Sequence, residues 1–221
     1  MCWQHIDVYL RPGPLTTLHA GYLLEPVLNL VRLRIRADAG RPALALLHAM
    51  YQAITTSTNL AIGTRTLPLA VLTGSTAGRR DLVRWTWLQY LNEGIRIHAL
   101  AGRWNEAAQH AKNLNGVGLH LLEGRQAATI GHLLHDGITT ARSFLADSTL
   151  TEPWEHQVAH ASRSCAPHPT LAPTRYTRCT TATTRITPYP DTSTIGLAGP
   201  LAQPPSPASA TDARLSVSSI R

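Results

Sequence analysis

A glycine turn directly precedes an alanine-rich helical segment in the stretch Ala101-Gly102-Arg103-Trp104-Asn105-Glu106-Ala107-Ala108-Gln109. Two further glycines, Gly40 and Gly137, also stand before segments rich in helix-forming residues. Gly137 follows Gly102 by 35 positions, and Gly102 follows Gly40 by 62, close to two such steps. A turn glycine that recurs with a period of about 34, between helices, is typical of stacked helix pairs. We therefore predict an all-α fold, a short α-solenoid of antiparallel helix pairs.

The composition of the chain changes near Ser162. Up to that residue the sequence is rich in leucine, alanine, isoleucine and valine, whereas nine of the fifteen prolines lie beyond it. We predict an N-terminal extension at 1–13, a helical-repeat domain at 14–162 and a disordered, low-complexity tail at 163–221.

The tail has an alternative explanation in the gene. Nineteen of the twenty basic residues are arginine, which indicates a GC-rich genome such as those of actinobacteria. A GC-rich gene that is read out of frame typically encodes Arg, Pro, Thr, Ser and Ala. The tail is therefore either native and disordered or a frameshift product, with the repeats continuing in another frame.

The net charge of +7 is spread thinly over the chain. Residues 1–162 hold fourteen basic and eleven acidic residues, and the remainder holds six and two. We expect no direct nucleic-acid binding from so diffuse a charge.

Charged residues and a proline interrupt the most apolar stretch, Leu15 to Ile35, so we expect no membrane span. The first residues lack the basic and apolar regions of a signal peptide, and we expect a cytoplasmic protein.

Apolar periodicity and capping residues predict the helices of the first half. Thr16 or Thr17 is expected to cap a helix with a kink or a restart at Pro26. Gly40 is expected to end that helix in the left-handed conformation, before a helix at about 42–57. Residues 58–79 are predicted to form a loop with a short helix near 67–72.

The second half carries the clearest helical pattern. A helix is predicted at 81–101, with Val83, Trp87, Leu91 and Ile95 forming one buried stripe. Asn105 is expected to cap the next helix, in which small residues allow a close approach between helices: Ala107, Ala108 and Ala111. Further helices are predicted from about His120 to Gly137, from Thr139 to Asp147, and after Thr151 as N-cap. Glu152 and Pro153 are expected in the first turn of the last helix, with Glu155 nearby to favour the helix dipole.

The stretch 101–112 resembles the turn and second helix of a tetratricopeptide repeat (TPR). Gly102 matches the turn glycine of the repeat, Trp104 the aromatic residue two places later, and Ala107 and Ala111 the small residues that follow. The Trp-Leu-Gly pattern of the first helix is absent, and no proline ends the second. More loosely, residues 20–160 resemble the helical-repeat regions of actinobacterial regulatory proteins. No helix-turn-helix domain is recognisable, so DNA binding is not carried over.

The resemblance implies a TPR-like α-solenoid that binds a protein or peptide partner, either alone or as a fragment of a regulatory protein. Aromatic and arginine side chains are expected to line its groove: Arg84, Trp87, Arg96, Arg103, Trp104 and Arg125. Core packing is the alternative role for the aromatic members. The alternative function is a small-molecule or peptide-sensing regulatory domain of a transcriptional regulator.

No combination of residues in the sequence predicts an enzyme or a cofactor site. The sequence has no glycine-rich nucleophile turn, and the Gly-x-Gly at 116–118 lies between helices rather than after a strand. Four potential zinc ligands are His156, His160, Cys165 and His168, but their spacing differs from that of known zinc fingers. We interpret His156 and His160 as exposed helix residues, and His132 and His135 as a partly exposed helix face.

Overall fold

The computed structural model describes residues 2–10, 15–71 and 75–164, and these residues are predominantly helical. The predicted tail lies outside the described residues from position 165 onwards. The described part of the chain contains eight α-helices: α1 (Cys2–Tyr9), α2 (Thr17–Arg36), α3 (Gly40–Thr56), α4 (Thr76–Leu100), α5 (Trp104–Asn113), α6 (Glu123–His135), α7 (Ile138–Ala146) and α8 (Pro153–Ser164). None of these helices is long and apolar enough to cross a membrane.

The described residues divide into two compact units within the segment that the sequence predicts as one domain. The first unit ends at Tyr90 and the second begins at Leu91, so the boundary falls inside the continuous helix α4. No change in composition marks this point in the sequence. Helix α1 packs on α2, and the residues predicted as an N-terminal extension thus contribute a helix to the first unit.

Helix α2 begins as the sequence predicts, with Thr16 as its N-cap. The Thr16 hydroxyl accepts a hydrogen bond from the backbone N–H of His19 at 3.3 Å. Of the two alternatives predicted at Pro26, a kink or a restart, the restart is wrong, because α2 continues through this residue to Arg36. The prediction for Gly40 is also wrong: Asp38 adopts the left-handed conformation (φ 56°), and Gly40 is the first residue of α3. Aspartate tolerates this conformation better than most residues do.

A small β-hairpin follows α3 where the sequence predicts a loop. Strand β1 (Leu60–Ile62) pairs antiparallel with β2 (Arg65–Leu67), and Gly63 has a φ of 60° in the turn between them. The all-α prediction is therefore incomplete. A 3₁₀ turn at Leu69–Val71 takes the place of the short helix predicted near residues 67–72.

Arg65 connects the hairpin to α1. Its guanidinium pairs with the carboxylate of Asp7 at 2.5 Å and lies 4.5 Å from the centre of the Trp3 ring system. These contacts join segments that are far apart in the sequence, which stabilises a hairpin that would be marginal alone.

The second unit is built from helices that pack on their sequence neighbours. Around the α4–α5 turn, His98 contacts Glu106, and a Cβ on Gly94 would lie 2.0 Å from the His110 ring, so the end of α4 and α5 are antiparallel. Gly102 makes the turn with a φ of 70°, as predicted. The predicted cap is wrong, because Arg103 occupies the N-cap position of α5 and Asn105 lies in its first turn.

The small-residue face predicted on α5 is confirmed. A Cβ placed on Gly124 would lie 3.4 Å from the Ala111 Cβ, and one on Gly131 would lie 3.6 Å from the Ala108 Cβ. Small residues on both helices therefore allow α5 and α6 to pack antiparallel and closely. Helix α6 packs in turn on α7. A further core cluster contains residues of α7, of α8 and of the loop before α6: Leu121, Leu145, Val158 and Ala159.

Candidate partner-binding surface at the α4–α5 turn

The six residues predicted to bind a partner do not lie in one unit. Arg84 and Trp87 belong to the first unit, and the other four belong to the second. Three of the six are buried: Trp87, Trp104 and Arg125. Buried side chains offer no surface to a partner. The two tryptophans therefore pack in the core, which is the alternative role that the sequence allows for them. Arg84 is half-buried, and Arg96 and Arg103 are exposed.

Arg125 stabilises the second unit from within. Only 5% of the residue is exposed. Its guanidinium donates hydrogen bonds to the Ser148 hydroxyl at 2.6 Å, to the Gly118 carbonyl at 2.8 Å and to the Phe144 carbonyl at 2.7 Å. It also lies 4.2 Å from the centre of the Phe144 ring. Burial lowers the pKa of Arg125, an effect that the nearby Asp147 opposes.

Along the chain, the two exposed arginines come before and after an exposed leucine. Leu100 follows Arg96 by four residues on α4, so the two share a face of the helix, and Arg103 follows the Gly102 turn. Leu100 is 60% exposed, and the side chains of Arg96 and Arg103 are 47% and 42% exposed. We call Arg96, Leu100, Arg103 and Glu106 the turn surface.

Each arginine of the turn surface has a carboxylate neighbour. Arg103 Nη1 lies 3.1 Å from Glu106 Oε2, and Arg96 Nη1 lies 3.7 Å from Glu93 Oε2. The Glu93 side chain is only 2% exposed, whereas Glu106 is largely exposed. A guanidinium has five N–H donors, so one such pair leaves donors available to a carboxylate of a partner.

A histidine lies directly behind this surface. His98 Nδ1 is 3.1 Å from Glu106 Oε2, the same oxygen that Arg103 approaches, and only 12% of its side chain is exposed. Burial lowers the pKa of His98, Arg103 lowers it further, and Glu106 raises it. His98 is therefore neutral at pH 7.

The geometry of the turn depends on a close contact between α4 and α5. A Cβ on Gly94 would lie 2.0 Å from His110 Nε2, so the imidazole occupies space that only a glycine leaves open. The His98 and His110 ring centres are 5.9 Å apart. This packing fixes the helical segments that carry Arg96 and Arg103.

The other histidines singled out in the sequence lie elsewhere. His156 and His160 are exposed on α8, and Cys165 and His168 lie outside the described residues. His132 Nδ1 is 2.5 Å from Asp136 Oδ2, and His135 is exposed beside it. Among the described residues, no group of three or more His, Cys, Asp or Glu side chains is arranged to hold a metal ion.

Sequence reasoning misses three members of this region: His98, Leu100 and Glu106. The spacing of Leu100 from Arg96 is a visible signal for a shared helix face, and it places a leucine outside the buried stripe that ends at Ile95. No comparable signal indicates that His98 and Arg103 approach one carboxylate oxygen, because that contact depends on how the Gly102 turn is made.

Comparison of the chain with protein-family models, curated proteins and solved structures finds no match.

Proposed function

We propose that the second unit is a TPR-like, protein- or peptide-binding helical module, and that its turn surface binds an acidic segment of the partner. The observation that carries this proposal is the exposed Leu100, which stands in the sequence between two exposed arginines, Arg96 and Arg103. The proposed activity is binding and not catalysis.

The packing order of the helices supports a repeat-type module. The end of α4 pairs with α5, α5 packs on α6, and α6 packs on α7. Contacts between consecutive helices are typical of helical-repeat proteins, in which exposed helix faces bind extended or helical peptides.

The chemistry of the turn surface favours a partner with both an apolar and an acidic side chain. A leucine that is 60% exposed offers apolar area for burial on binding. Arginine recognises carboxylates through two parallel N–H donors, which gives geometric specificity as well as attraction. Of the two carboxylates beside the arginines, only that of Glu106 reaches the solvent to a large extent.

Selection from a phage-displayed library of random decapeptides on the full-length protein tests this proposal. We expect the selected peptides to be enriched in Asp or Glu next to an apolar residue. The double variant Arg96→Glu/Arg103→Glu should lose binding of these peptides. The matched control is Arg142→Glu, because Arg142 is exposed on α7 in the same unit.

Two results would contradict the proposed function. One is a selection that enriches no peptide family on the wild-type protein. The other is a family of selected peptides that binds equally well to the double variant. Far-UV circular dichroism of the variants separates a loss of binding from a loss of folding.

A further inference from the structure

One carboxylate oxygen of the turn surface has two neighbours that carry or can acquire positive charge. Oε2 of Glu106 lies 3.1 Å from His98 Nδ1 and 3.1 Å from Arg103 Nη1. His98 is largely buried, whereas Arg103 and Glu106 are exposed to solvent. A change in the charge of His98 therefore acts directly on the carboxylate that neutralises Arg103.

We propose that His98 is a proton switch for binding at the turn surface. Protonated His98 pairs with Glu106, and Arg103 is then available to a carboxylate of the acidic partner. This inference rests on the proposed function, because it concerns the regulation of the same surface.

The charged groups around His98 fit this assignment. From α5 and its N-cap, Arg103, Glu106 and His110 face the imidazole. On α4 itself, Glu93 and Arg96 lie in the preceding turns and are 3.7 Å apart. Glu106 is the exposed acidic group of this set. When His98 is protonated, its positive charge offsets the negative charge of Glu106, which then neutralises the arginines less.

The switch operates at a pH below the ordinary pKa of histidine. Burial and the neighbouring Arg103 lower the pKa of His98 below 6.5, against the opposing effect of Glu106. His98 is therefore neutral at pH 7.5, and its protonation requires a pH below 6.5. Aspartate and glutamate side chains of a free peptide have pKa values of about 4, so an acidic peptide remains largely charged at pH 5.0.

Fluorescence anisotropy with the full-length protein tests the switch. The probe is the fluorescein-labelled pentapeptide Asp-Glu-Leu-Glu-Asp, titrated at pH 7.5 and at pH 5.0. We expect the wild type to bind about fivefold more tightly at pH 5.0, the gain expected when Glu106 no longer opposes the charge of Arg103 at an exposed site. His98→Gln should show no such gain, because glutamine is neutral at both pH values.

A second variant tests the same relationship from the carboxylate side. Glu106→Gln removes the charge that opposes Arg103, so it should bind at pH 7.5 as tightly as the wild type binds at pH 5.0. Its affinity should then be the same at the two pH values. His135→Gln is the matched control, because this exposed histidine of α6 should leave the wild-type response unchanged.

The outcomes distinguish the switch from the proposed function. Wild-type binding that is equal at both pH values overturns the switch and leaves the binding proposal intact. A wild-type pH response in Glu106→Gln overturns it as well, and this variant decides the matter if His98→Gln fails to fold. A probe that binds at neither pH contradicts both proposals.

Discussion

The carboxylate of Glu155 accepts a hydrogen bond from the backbone N–H of Leu121, a residue 34 positions earlier in the chain. The Oε1–N distance is 3.1 Å. Glu155 Oε2 accepts bonds from the backbone N–H groups of Thr151 at 2.7 Å and Glu152 at 2.9 Å, and from the Thr151 hydroxyl at 3.2 Å. One buried side chain thus caps the start of α8 and fixes the loop before α6. Thr151, predicted as the N-cap, is instead a donor to this carboxylate.

Replacing Glu155 with alanine should destabilise the protein by about 3 kcal/mol, because it leaves buried backbone N–H groups without acceptors. Chemical denaturation at pH 7 measures this change. Glu152→Ala is the control: its side chain is exposed, so the change should be about 0.5 kcal/mol or less. A loss in Glu155→Ala no larger than the loss in Glu152→Ala would contradict the capping role.

The stability that Glu155 provides should depend on pH. Burial raises the pKa of this carboxyl, but the hydrogen bonds from Glu152, Thr151 and Leu121 lower it more, so the net pKa lies below 4.5. A group whose pKa is lowered by folding stabilises the folded state above its unfolded pKa. The contribution of Glu155 is therefore complete at pH 7 and decreases as the pH falls from about 5 through the folded pKa. Wild type and Glu155→Gln should differ less in melting temperature at pH 3 than at pH 7.

Arg125→Lys should destabilise the protein by about 2 kcal/mol, although it keeps the charge. Lysine has no planar fork and cannot reproduce the three hydrogen bonds to Ser148, Gly118 and Phe144. Arg142→Lys, at an exposed position of α7, should change stability by less than about 0.5 kcal/mol. Equal melting temperatures for the two variants would show that the guanidinium of Arg125 is dispensable.

The helices and their turns are the part of the fold that the sequence predicts best. Of the predicted stripe, Trp87, Leu91 and Ile95 are buried and Val83 is half-buried, and Gly102 makes the predicted turn. The hairpin is missed because strands of three residues are too short to show an alternating pattern. Apolar periodicity shows which face of a helix or strand is buried, but it does not show which other segments of the chain pack on that face.

At the candidate site, too, the sequence does not show which distant segments come into contact. Arg125 resembles the exposed arginines in the sequence, yet its hydrogen-bond acceptors lie 7, 19 and 23 residues away. Such an arginine can be distinguished from a surface arginine only when the loops that satisfy its donors are in place. Arg96 and Arg103 are exposed because local spacing places them on the outer side of a single helix and its turn.

Two helical glycines should respond to alanine in opposite directions. A Cβ on Gly124 would lie 2.1 Å from the backbone oxygen of Gly116, and a backbone segment cannot yield as a flexible side chain can. Gly124→Ala should therefore destabilise the protein by about 2 kcal/mol. A Cβ on Gly21, within α2, meets no atom within 4 Å, so Gly21→Ala should stabilise it by about 0.5–1 kcal/mol. Thermal unfolding of the two variants beside the wild type measures both signs, and destabilisation by Gly21→Ala would contradict the open space at that position.

Asp38 and Gly102 adopt the same left-handed conformation in two helix–helix turns, with φ values of 56° and 70°. Glycine adopts this conformation without the steric cost that a side chain adds. Gly102→Ala should therefore lose about 1 kcal/mol of stability, although a Cβ there meets no atom within 4 Å. Asp38→Gly should stabilise the folded protein by up to about 1 kcal/mol, and the larger conformational entropy that glycine gives to the unfolded chain reduces this gain. Urea denaturation of both variants measures the two effects. Gly40→Ala should not destabilise the protein, because Gly40 is the first residue of α3 and the left-handed turn lies at Asp38. A loss of stability in Gly40→Ala would indicate that the left-handed residue of this turn is Gly40 instead.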